Sequence, residues 1–363
     1  MENMMKTDQW QEDAQEEIAE AESDPQEETE CHILLPLLNT PFVPGHCLEA
    51  VETIKDPKDH DIAMGEYYYF TGHPEEAVKA MEPYLANEDT ALRLSACLVY
   101  AYANLATGDI RLARHALSEI EKTFDDVSKE ADASRERKAL VTFAAAMAAV
   151  LLHLPLKSDR AFSEEKLMLL PPGLRFFACY VQAHHAYLQG QYERSLGNVE
   201  MALAFQPQLY PIPTIYLRLV AVMDYMALKQ SEKAKEQMLI AWELARPDGL
   251  IEAFGEHHGL LGGVLEATLK KDWPKEFKQI ISITYNFSGG WRKVHNPDTG
   301  HDVADNLTTT EFAVAMLTAR GWTYQEISSH MGISIHTVKF HMGTVIGKLG
   351  LEKKSDLKKY MLR

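Results

Sequence analysis

The chain has few of the features that mark a secreted or membrane protein. Its four cysteines, Cys31, Cys47, Cys97 and Cys179, lie far apart, which suits a reducing cytoplasm and excludes a disulfide framework. No window approaches about eighteen uninterrupted apolar residues, so a membrane-spanning helix is not expected. The N-terminus has no basic segment followed by an apolar run, which argues against a secretory signal. We therefore expect a cytoplasmic protein.

Signatures of catalysis and of nucleotide binding are also missing. The chain contains no G-x-x-x-x-G-K-[ST] sequence, so ATP-driven switching is not expected. No Ser-His-Asp or paired-carboxylate arrangement has a local signature. We predict no enzyme, no catalytic residue and no cofactor.

Two kinds of histidine arrangement invite a metal interpretation. The adjacent pairs His184-His185 and His257-His258 have no cysteine or carboxylate at ligand spacing beside both members, so a structural or surface role is favoured. A second candidate zinc set is the group Cys31, His32, His46 and Cys47. The proline-rich loop between its two halves is compatible with zinc but not diagnostic of it, and we predict no metal site.

The long middle of the chain is predicted to be helical, because it is rich in Ala, Leu, Glu and Tyr with little Val/Ile/Thr alternation. A turn phrase recurs in it at Phe70–Ala77, Ala106–Ala113, Leu188–Ser195 and Leu228–Ala234. The intervals between the turn residues Gly72, Gly108, Gly190 and Lys229 are 36, 82 and 39 residues. The value of 82 corresponds to two periods with one degenerate unit.

Each glycine of these phrases is followed five residues later by a small residue: Gly72 by Ala77, Gly108 by Ala113 and Gly190 by Ser195. Glycine permits the tight corner, and the small residue lets the second helix approach the first. A period of this kind resembles tetratricopeptide repeats, which predicts stacked helix pairs in a solenoid. Tyrosines in this region, such as Tyr180 and Tyr216, could line a ligand surface, but core packing is favoured.

Three helix-start signals follow one another near the C-terminus. Thr308-x-x-Glu311 and Thr323-x-x-Glu326 are capping boxes, in which the Thr hydroxyl and the Glu carboxylate exchange hydrogen bonds with free backbone amides. Gly321 and Gly332 stand where left-handed residues would end the two helices. The second helix is thus predicted from about Tyr324 to Met331.

Ser334 is predicted to cap the third of these helices. Val338, Met342, Val345 and Leu349 recur at helical spacing as one inward face. The opposite face carries His336, Lys339, Phe340, Gly343, Thr344 and Gly347. Two helices joined by a Gly-containing turn, with polar and small residues exposed on the second, are typical of a helix-turn-helix.

The run from Thr309 to Leu357, especially GWTYQEIS, GISIHTVKFHM and KLGL, strongly resembles the LuxR-type DNA-binding domain. The resemblance implies a four-helix domain in which Lys339, Phe340, Gly343 and Thr344 face base edges and backbone. A fourth helix near Ser355 to Leu362 corresponds to the one the family commonly uses for dimer contacts. The chain departs from the family pattern at Thr310, Ala315 and Thr344, which replace the usual Arg, Leu and Asn, so its target sequence could be unusual.

The side chains of the third helix suggest distinct contacts with DNA. Lys339 and Lys348 can neutralise phosphates, although for either lysine alone an ordinary solvated helix face is the favoured interpretation. Phe340 offers an apolar surface to a thymine methyl, and Thr344 offers a hydroxyl to a base edge. The predicted DNA-binding residues are Thr323, Tyr324, Gln325, Ser334, His336, Thr337, Lys339, Phe340, Gly343, Thr344 and Lys348.

The end of the repeat region carries a second resemblance. The stretch Ala241–Phe254 is similar to the end of the repeats in large regulators related to the maltose-regulon activator, where a LuxR-type domain follows. Those regulators also have an N-terminal nucleotide-hydrolysing module, for which this chain shows no motif.

The net charge of −17 is unevenly distributed. Residues 1–30 contain twelve acidic residues and one basic residue, Lys6, whereas from Gly300 onward eight Lys or Arg face six Asp or Glu. A weakly basic C-terminal region should bind DNA poorly as a monomer, which favours a pair of copies on two half-sites. The acidic segment is expected to be a disordered solubilising arm; screening of the DNA-binding surface is the alternative.

We therefore predict an all-α protein: a disordered acidic arm (1–30), a tetratricopeptide-like solenoid (31–287), a linker (288–306) and a four-helix LuxR-type domain (307–363). The expected function is sequence-specific transcriptional regulation, with activation as the default sense. The expected partners are promoter DNA, a second copy of the chain on DNA, and a small-molecule or protein effector on the repeats, with RNA polymerase as a further candidate. The alternative is a protein-protein scaffold whose C-terminal helices dock and do not bind DNA.

Overall fold

The computed structural model describes residues 32–153, 160, 162–295 and 307–361. Residues from Ile33 to the C-terminus form one compact unit. The described residues contain α-helices, short 3-10 turns and no strand, so the predicted all-α class is confirmed. The predicted acidic arm lies outside the described residues, as do Cys31 and positions 296–306 of the predicted linker.

The first part of the compact unit consists of fourteen α-helices in the described residues. Helices α1 to α7 are Cys47–Glu52, Pro57–Phe70, Pro74–Met81, Thr90–Thr107, Ile110–Lys129, Arg135–Leu151 and Glu164–Leu169. Helices α8 to α14 are Pro172–Leu188, Tyr192–Ala204, Pro211–Ala227, Ser231–Ala245, Glu252–His257, Val264–Thr268 and Pro274–His295. Helix α14 thus extends into the stretch that the sequence analysis assigned to the linker.

Four helix pairs are joined by tight turns at the recurring phrases: α2 with α3, α4 with α5, α8 with α9, and α10 with α11. The turn residues Gly72, Gly108 and Gly190 have φ angles of 78°, 86° and 72°, a left-handed conformation that glycine adopts without steric penalty. Lys229 occupies the equivalent place in the last phrase at φ 60°. Helix α6 and the short α7 lie between the α4–α5 pair and the α8–α9 pair. This is the 82-residue interval for which the spacing predicted a degenerate unit.

Close approach within each pair depends on a small buried residue. Ala77, Ala113, Ser195 and Ala234 are all 0% exposed. The Ser195 hydroxyl donates a hydrogen bond of 2.8 Å to the Ala183 carbonyl on the partner helix. A larger side chain at these positions would force the two helices apart.

The first helices of successive pairs stack on one another through α6, in the order α2, α4, α6, α8 and α10. Helix α12 packs against α2 and α10, and α14 packs against α4 and α12. The tyrosines that the sequence left open between ligand contact and core packing fall mainly in this core: Tyr69, Tyr180 and Tyr216 are at most 4% exposed. Tyr180 and Tyr216 are in ring contact, with centroids 5.0 Å apart.

The C-terminal part contains four helices: α15 is Thr309–Ala319, α16 is Tyr324–Met331, α17 is Ile335–Leu349 and α18 is Leu357–Met361. Helix α15 packs against α17 and α18, and α16 packs against α17. Val338, Met342, Val345 and Leu349 form the buried stripe of α17, as their spacing predicted. Helix α17 runs unbroken through Gly343 and Gly347, because this buried stripe outweighs their low helix propensity.

Candidate nucleic-acid interface

Side-chain caps at the helix starts define the geometry of the interface. The Thr308 amide donates to Glu311 Oε2 at 2.7 Å, and the Glu311 amide donates to Thr308 Oγ1 at 3.3 Å. The Thr323 amide donates to Glu326 Oε2 at 2.6 Å, and the Glu326 amide donates to Thr323 Oγ1 at 3.2 Å. Both predicted capping boxes are therefore present. They fix where α15 and α16 begin.

Helix α17 begins at the Ser334 cap, where the Thr337 amide donates to Ser334 Oγ at 3.0 Å. The two hydroxyls of Ser334 and Thr337 are also hydrogen-bonded at 2.8 Å. Thr323 likewise uses its hydroxyl in its own cap. Three of the predicted DNA-binding residues therefore have hydroxyl groups that take part in helix capping, and any contact with DNA would share those atoms.

The outward face of α17 is open to solvent. Phe340 is 66% exposed, and Lys339, His336 and Gly343 are exposed beside it. No atom lies within 4 Å of where a side chain at Gly343 or Gly347 would begin. Phe340 thus offers a large apolar surface on the same face as Lys339 and His336.

The hydroxyl of Thr344, which is half-buried on the same helix, donates to the Phe340 carbonyl at 3.1 Å. On α16, Tyr324 is half-buried and Gln325 is exposed. The predicted residues that are exposed in the structure are Thr323, Gln325, Ser334, His336, Lys339, Phe340, Gly343 and Lys348. The structure adds Ile335, 37% exposed at the first turn of α17, which the sequence analysis did not name. The sequence signal that could have identified Ile335 is its position directly after the Ser334 cap, at the exposed start of α17.

Lys348 lies on α17 and is exposed, and it has a partner within the domain. Its ammonium donates to Glu311 Oε2 at 2.7 Å, which ties the end of α17 to the start of α15. Burial of Glu311 opposes ionisation, but the hydrogen bonds from Lys348 and from the Thr308 amide win and hold the pKa of Glu311 below its usual value. Lys348 thus pairs within the domain, and a phosphate would share its ammonium with Glu311.

The other side of the C-terminal helices packs against the repeat region. His330 Nε2 donates to the Gly262 carbonyl at 3.1 Å, and Lys229 Nζ donates to the Gly321 carbonyl at 2.9 Å. Arg320 donates to the Tyr187 hydroxyl, and its guanidinium carbon lies 5.7 Å from the centre of that ring. Burial lowers the pKa of His330, which favours its neutral form.

Two consecutive glycines allow this close packing. Gly262 and Gly263 have φ angles of 60° and 78°. A side chain at Gly262 would meet Leu317 at 3.4 Å, and one at Gly263 would meet Ala313 at 3.4 Å and Met331 at 3.5 Å. The packed surface is formed by α15 and α16, which leaves the exposed residues of α17 on another side of the domain.

The histidine pairs considered as metal ligands make contacts with neighbouring protein groups. Tyr180 shares its hydroxyl with His184 Nδ1 at 3.0 Å and His257 Nε2 at 2.9 Å. His258 Nε2 lies 2.9 Å from Glu266 Oε1. Burial lowers the pKa of His257 to about 4, although a hydrogen bond to the Ala253 carbonyl opposes the shift. The neutral ring is therefore part of the buried aromatic packing.

Comparison with known proteins agrees with the geometry of the C-terminal part. Residues 305–361 match the luxR family of bacterial regulatory proteins. The probable transcriptional regulatory protein SgaR of Hyphomicrobium methylovorum is 36% identical over 55 residues, which cover 15% of this chain and 26% of that protein. The match thus spans about a quarter of that relative's length. No solved structure matches the chain significantly.

Among the helices in the described part of the chain, none is both long and apolar enough to cross a membrane. The family match, the two capping boxes and the exposed α17 coincide in the same segment. The chain therefore carries a LuxR-type helix-turn-helix domain at its C-terminus, a DNA-binding module of transcriptional regulators.

Proposed function

We propose that this chain is a sequence-specific transcriptional regulator that inserts α17 into the major groove of promoter DNA. The observation that carries the proposal is the open outward face of α17, on which Lys339 and Phe340 are exposed while α15 and α16 pack against the repeats. An α-helix with small residues such as Gly343 can approach the floor of the groove closely.

The proposed contacts are of two kinds: phosphate contacts that position the helix on DNA, and base contacts that recognise the sequence. Lys339 neutralises a phosphate, a salt-dependent contact that is blind to sequence. Phe340 contacts a thymine methyl, and Gln325 and His336 reach polar groups at the groove edge. Because Lys348 is paired with Glu311, its ammonium is left out of the proposed contacts. With so few cations on the surface, two copies on adjacent half-sites are needed for tight binding, and activation with RNA polymerase is the expected outcome.

The tetratricopeptide-like repeats, similar to those of regulators related to the maltose-regulon activator, are proposed to sense an effector. The contacts that favour this role are those between the two parts of the chain, at Gly262 with His330 and at Tyr187 with Arg320. An effector that shifts the last helices of the repeat region would change the position of the C-terminal domain. Occupancy at a promoter would then depend on the effector.

The proposal is tested by selecting duplexes from a random library with the full chain. Enrichment of one motif, arranged as two half-sites, is expected, with affinity that falls steeply as salt increases. The scaffold alternative predicts no enriched motif and no affinity for duplex DNA. A reporter gene behind the selected motif then gives the sense of regulation.

A further inference from the structure

A recess lies between the α2–α3 turn and helices α12 and α14, away from the DNA-binding surface. We infer that it binds a small compound carrying a protonated amine, with the carboxylate of Glu252 as its anchor. This inference names the class of effector for the proposed sensing function. It rests on that function only for the effect that the bound compound has on DNA binding. The binding itself is a separate property of the repeat region.

The recess has a volume of about 200 Å³. Its polar lining includes Glu252 from α12 and three residues of α14: Gln279, Ser282 and Asn286. The three fall on one face of α14 because their spacing is i, i+3 and i+7. Ile283 contributes an apolar wall. This mixture of a few polar groups on an apolar wall is what small-molecule sites present.

Glu252 is the unusual member of this lining. Its side chain is 1% exposed, and Oε1 has no hydrogen-bond partner. The other oxygen, Oε2, lies 3.8 Å from the point where a side chain at Gly72 would begin, a point that Ile283 Cδ1 approaches to 3.0 Å, so Glu252 sits at the wall of the recess beside the α2–α3 turn. A buried carboxyl oxygen without a donor costs on the order of 1–3 kcal/mol, a cost that a bound donor would offset.

The charge around the recess selects a cation. No Lys or Arg is among its lining residues, and the histidine there, His73, shares its Nδ1 with the Thr71 hydroxyl at 3.0 Å. A second carboxyl group, Glu256, stands one helical turn after Glu252. Glu256 accepts hydrogen bonds from Tyr216 at 2.8 Å and from Tyr69. Burial and the neighbouring Glu256 raise the pKa of Glu252, so that a protonated amine is needed to stabilise its ionised form. An anion would find no lysine or arginine there to pair with.

The size of the recess limits the compound. A volume of about 200 Å³ is below the range of roughly 300–1,000 Å³ that drug-sized ligands occupy, and it equals the share of six or seven water molecules. A compound with one amino group and a second amino, hydroxyl or amide group fits, since the amide and hydroxyl groups of Gln279, Ser282 and Asn286 can bind its second polar end.

A larger recess of about 440 Å³, lined by residues of α4, α5 and α6, lacks this selectivity. Four of its charged groups pair with one another: Arg137 with Glu130 at 2.6 Å and Lys122 with Glu119 at 3.8 Å. The smaller recess is also better placed to act on DNA binding. Helix α14 supplies three of its polar groups and precedes the C-terminal domain in the chain, ending at His295.

The test uses the full chain with three probe amines, ethanolamine, putrescine and glycinamide, and with acetate as the anionic control. Thermal shift and calorimetric titration are expected to show saturable binding of at least one amine and none of acetate. Glu252→Gln should weaken that binding at least about tenfold without lowering the melting temperature, because the substitution removes a buried ionisable group. Glu243→Gln, at an exposed carboxylate on α11, should leave the binding unchanged.

Failure of all three amines to bind the wild-type chain, or equal binding to Glu252→Gln, would overturn the inference. Ser282→Leu, which fills the recess from α14, gives a second check and should also abolish binding. Affinity for the selected duplex is measured on the same samples. If the wild-type chain binds the duplex but none of the amines, the result counts against the recess alone. If it binds an amine but no duplex, the result counts against the proposed regulator.

Discussion

The repeat region and the C-terminal domain differ in the hydrogen-bond partners of their carboxyl groups. In the C-terminal domain, Glu311 accepts from Lys348 and from the Thr308 amide, and Lys339 is exposed. In the repeat region, Glu252 and Asp224 are buried with carboxyl oxygens that have no hydrogen-bond partner. Buried groups of this kind reduce stability. The contrast concerns the carboxyl groups: Glu311 caps a helix and pairs with a lysine, whereas Glu252 and Asp224 are buried with oxygens to which a ligand or a shift in packing could supply a donor.

The largest effect is expected where the helix pairs of the repeat region are closest. Ala113→Leu should lower the free energy of unfolding by about 3 kcal/mol, because the added side chain must enter a fully buried contact between α4 and α5. Chemical denaturation measures this change. Ser118→Leu, at an exposed position on the same helix, is the matched control and should change stability little. Equal effects of the two substitutions would show that the pairs are not closely packed.

The buried carboxyl of Asp224 should make stability depend on pH. Burial raises its pKa from 3.8 to about 8, so the wild-type chain should lose stability as the pH rises from about 4 to 8. Asp224→Asn removes that loss, and at pH 8 it should be more stable than the wild type by about 2 kcal/mol, with a smaller difference at pH 5. Denaturation at both pH values measures it. Asp125→Asn, at an exposed position, should show no such trend.

A smaller effect is expected at the first capping box of the C-terminal domain. Thr308→Ala removes the hydroxyl that accepts from the Glu311 amide and should destabilise this domain by about 1 kcal/mol. Thermal unfolding followed by a probe in the domain measures the change. Thr310→Ala, inside the same helix, should have less effect. If both variants unfold alike, the box contributes nothing to the stability of α15.

The smallest effect is expected at the contact between the two parts. Arg320→Ala removes the hydrogen bond to Tyr187 and should speed amide hydrogen exchange around Gly262 a few-fold, while the core of α15 stays protected. Arg246→Ala, at an exposed arginine of the repeat region, is the control. Unchanged exchange in Arg320→Ala would mean that this contact does not hold the C-terminal domain against the repeats.

The sequence predicts the parts of this molecule that depend on neighbours along the chain. Both capping boxes and the bounds of α16 follow from spacing, because the groups involved lie within one helical turn. Likewise, all three turn glycines of the repeat pairs have left-handed backbones, at residues where only local geometry matters.

The remaining features join residues far apart, and no local spacing encodes them. Glu311 and Lys348 are 37 positions apart, and Arg320 and Tyr187 are 133 apart. The predicted phosphate contact of Lys348 depended on its place on the helix, whereas tertiary packing gave its ammonium a carboxylate partner. The recess at Glu252 likewise needs α2, α12 and α14 together, which only the folded chain supplies.

The central claim is that the exposed face of α17 binds DNA, and fluorescence anisotropy of the full chain with its selected duplex tests it most directly. Lys339→Glu should lower the affinity at least about tenfold at an unchanged melting temperature, because it removes a phosphate contact and adds repulsion. Lys129→Glu, at an exposed lysine of α5, should change the affinity less than about twofold. Wild-type affinity in Lys339→Glu would contradict the account.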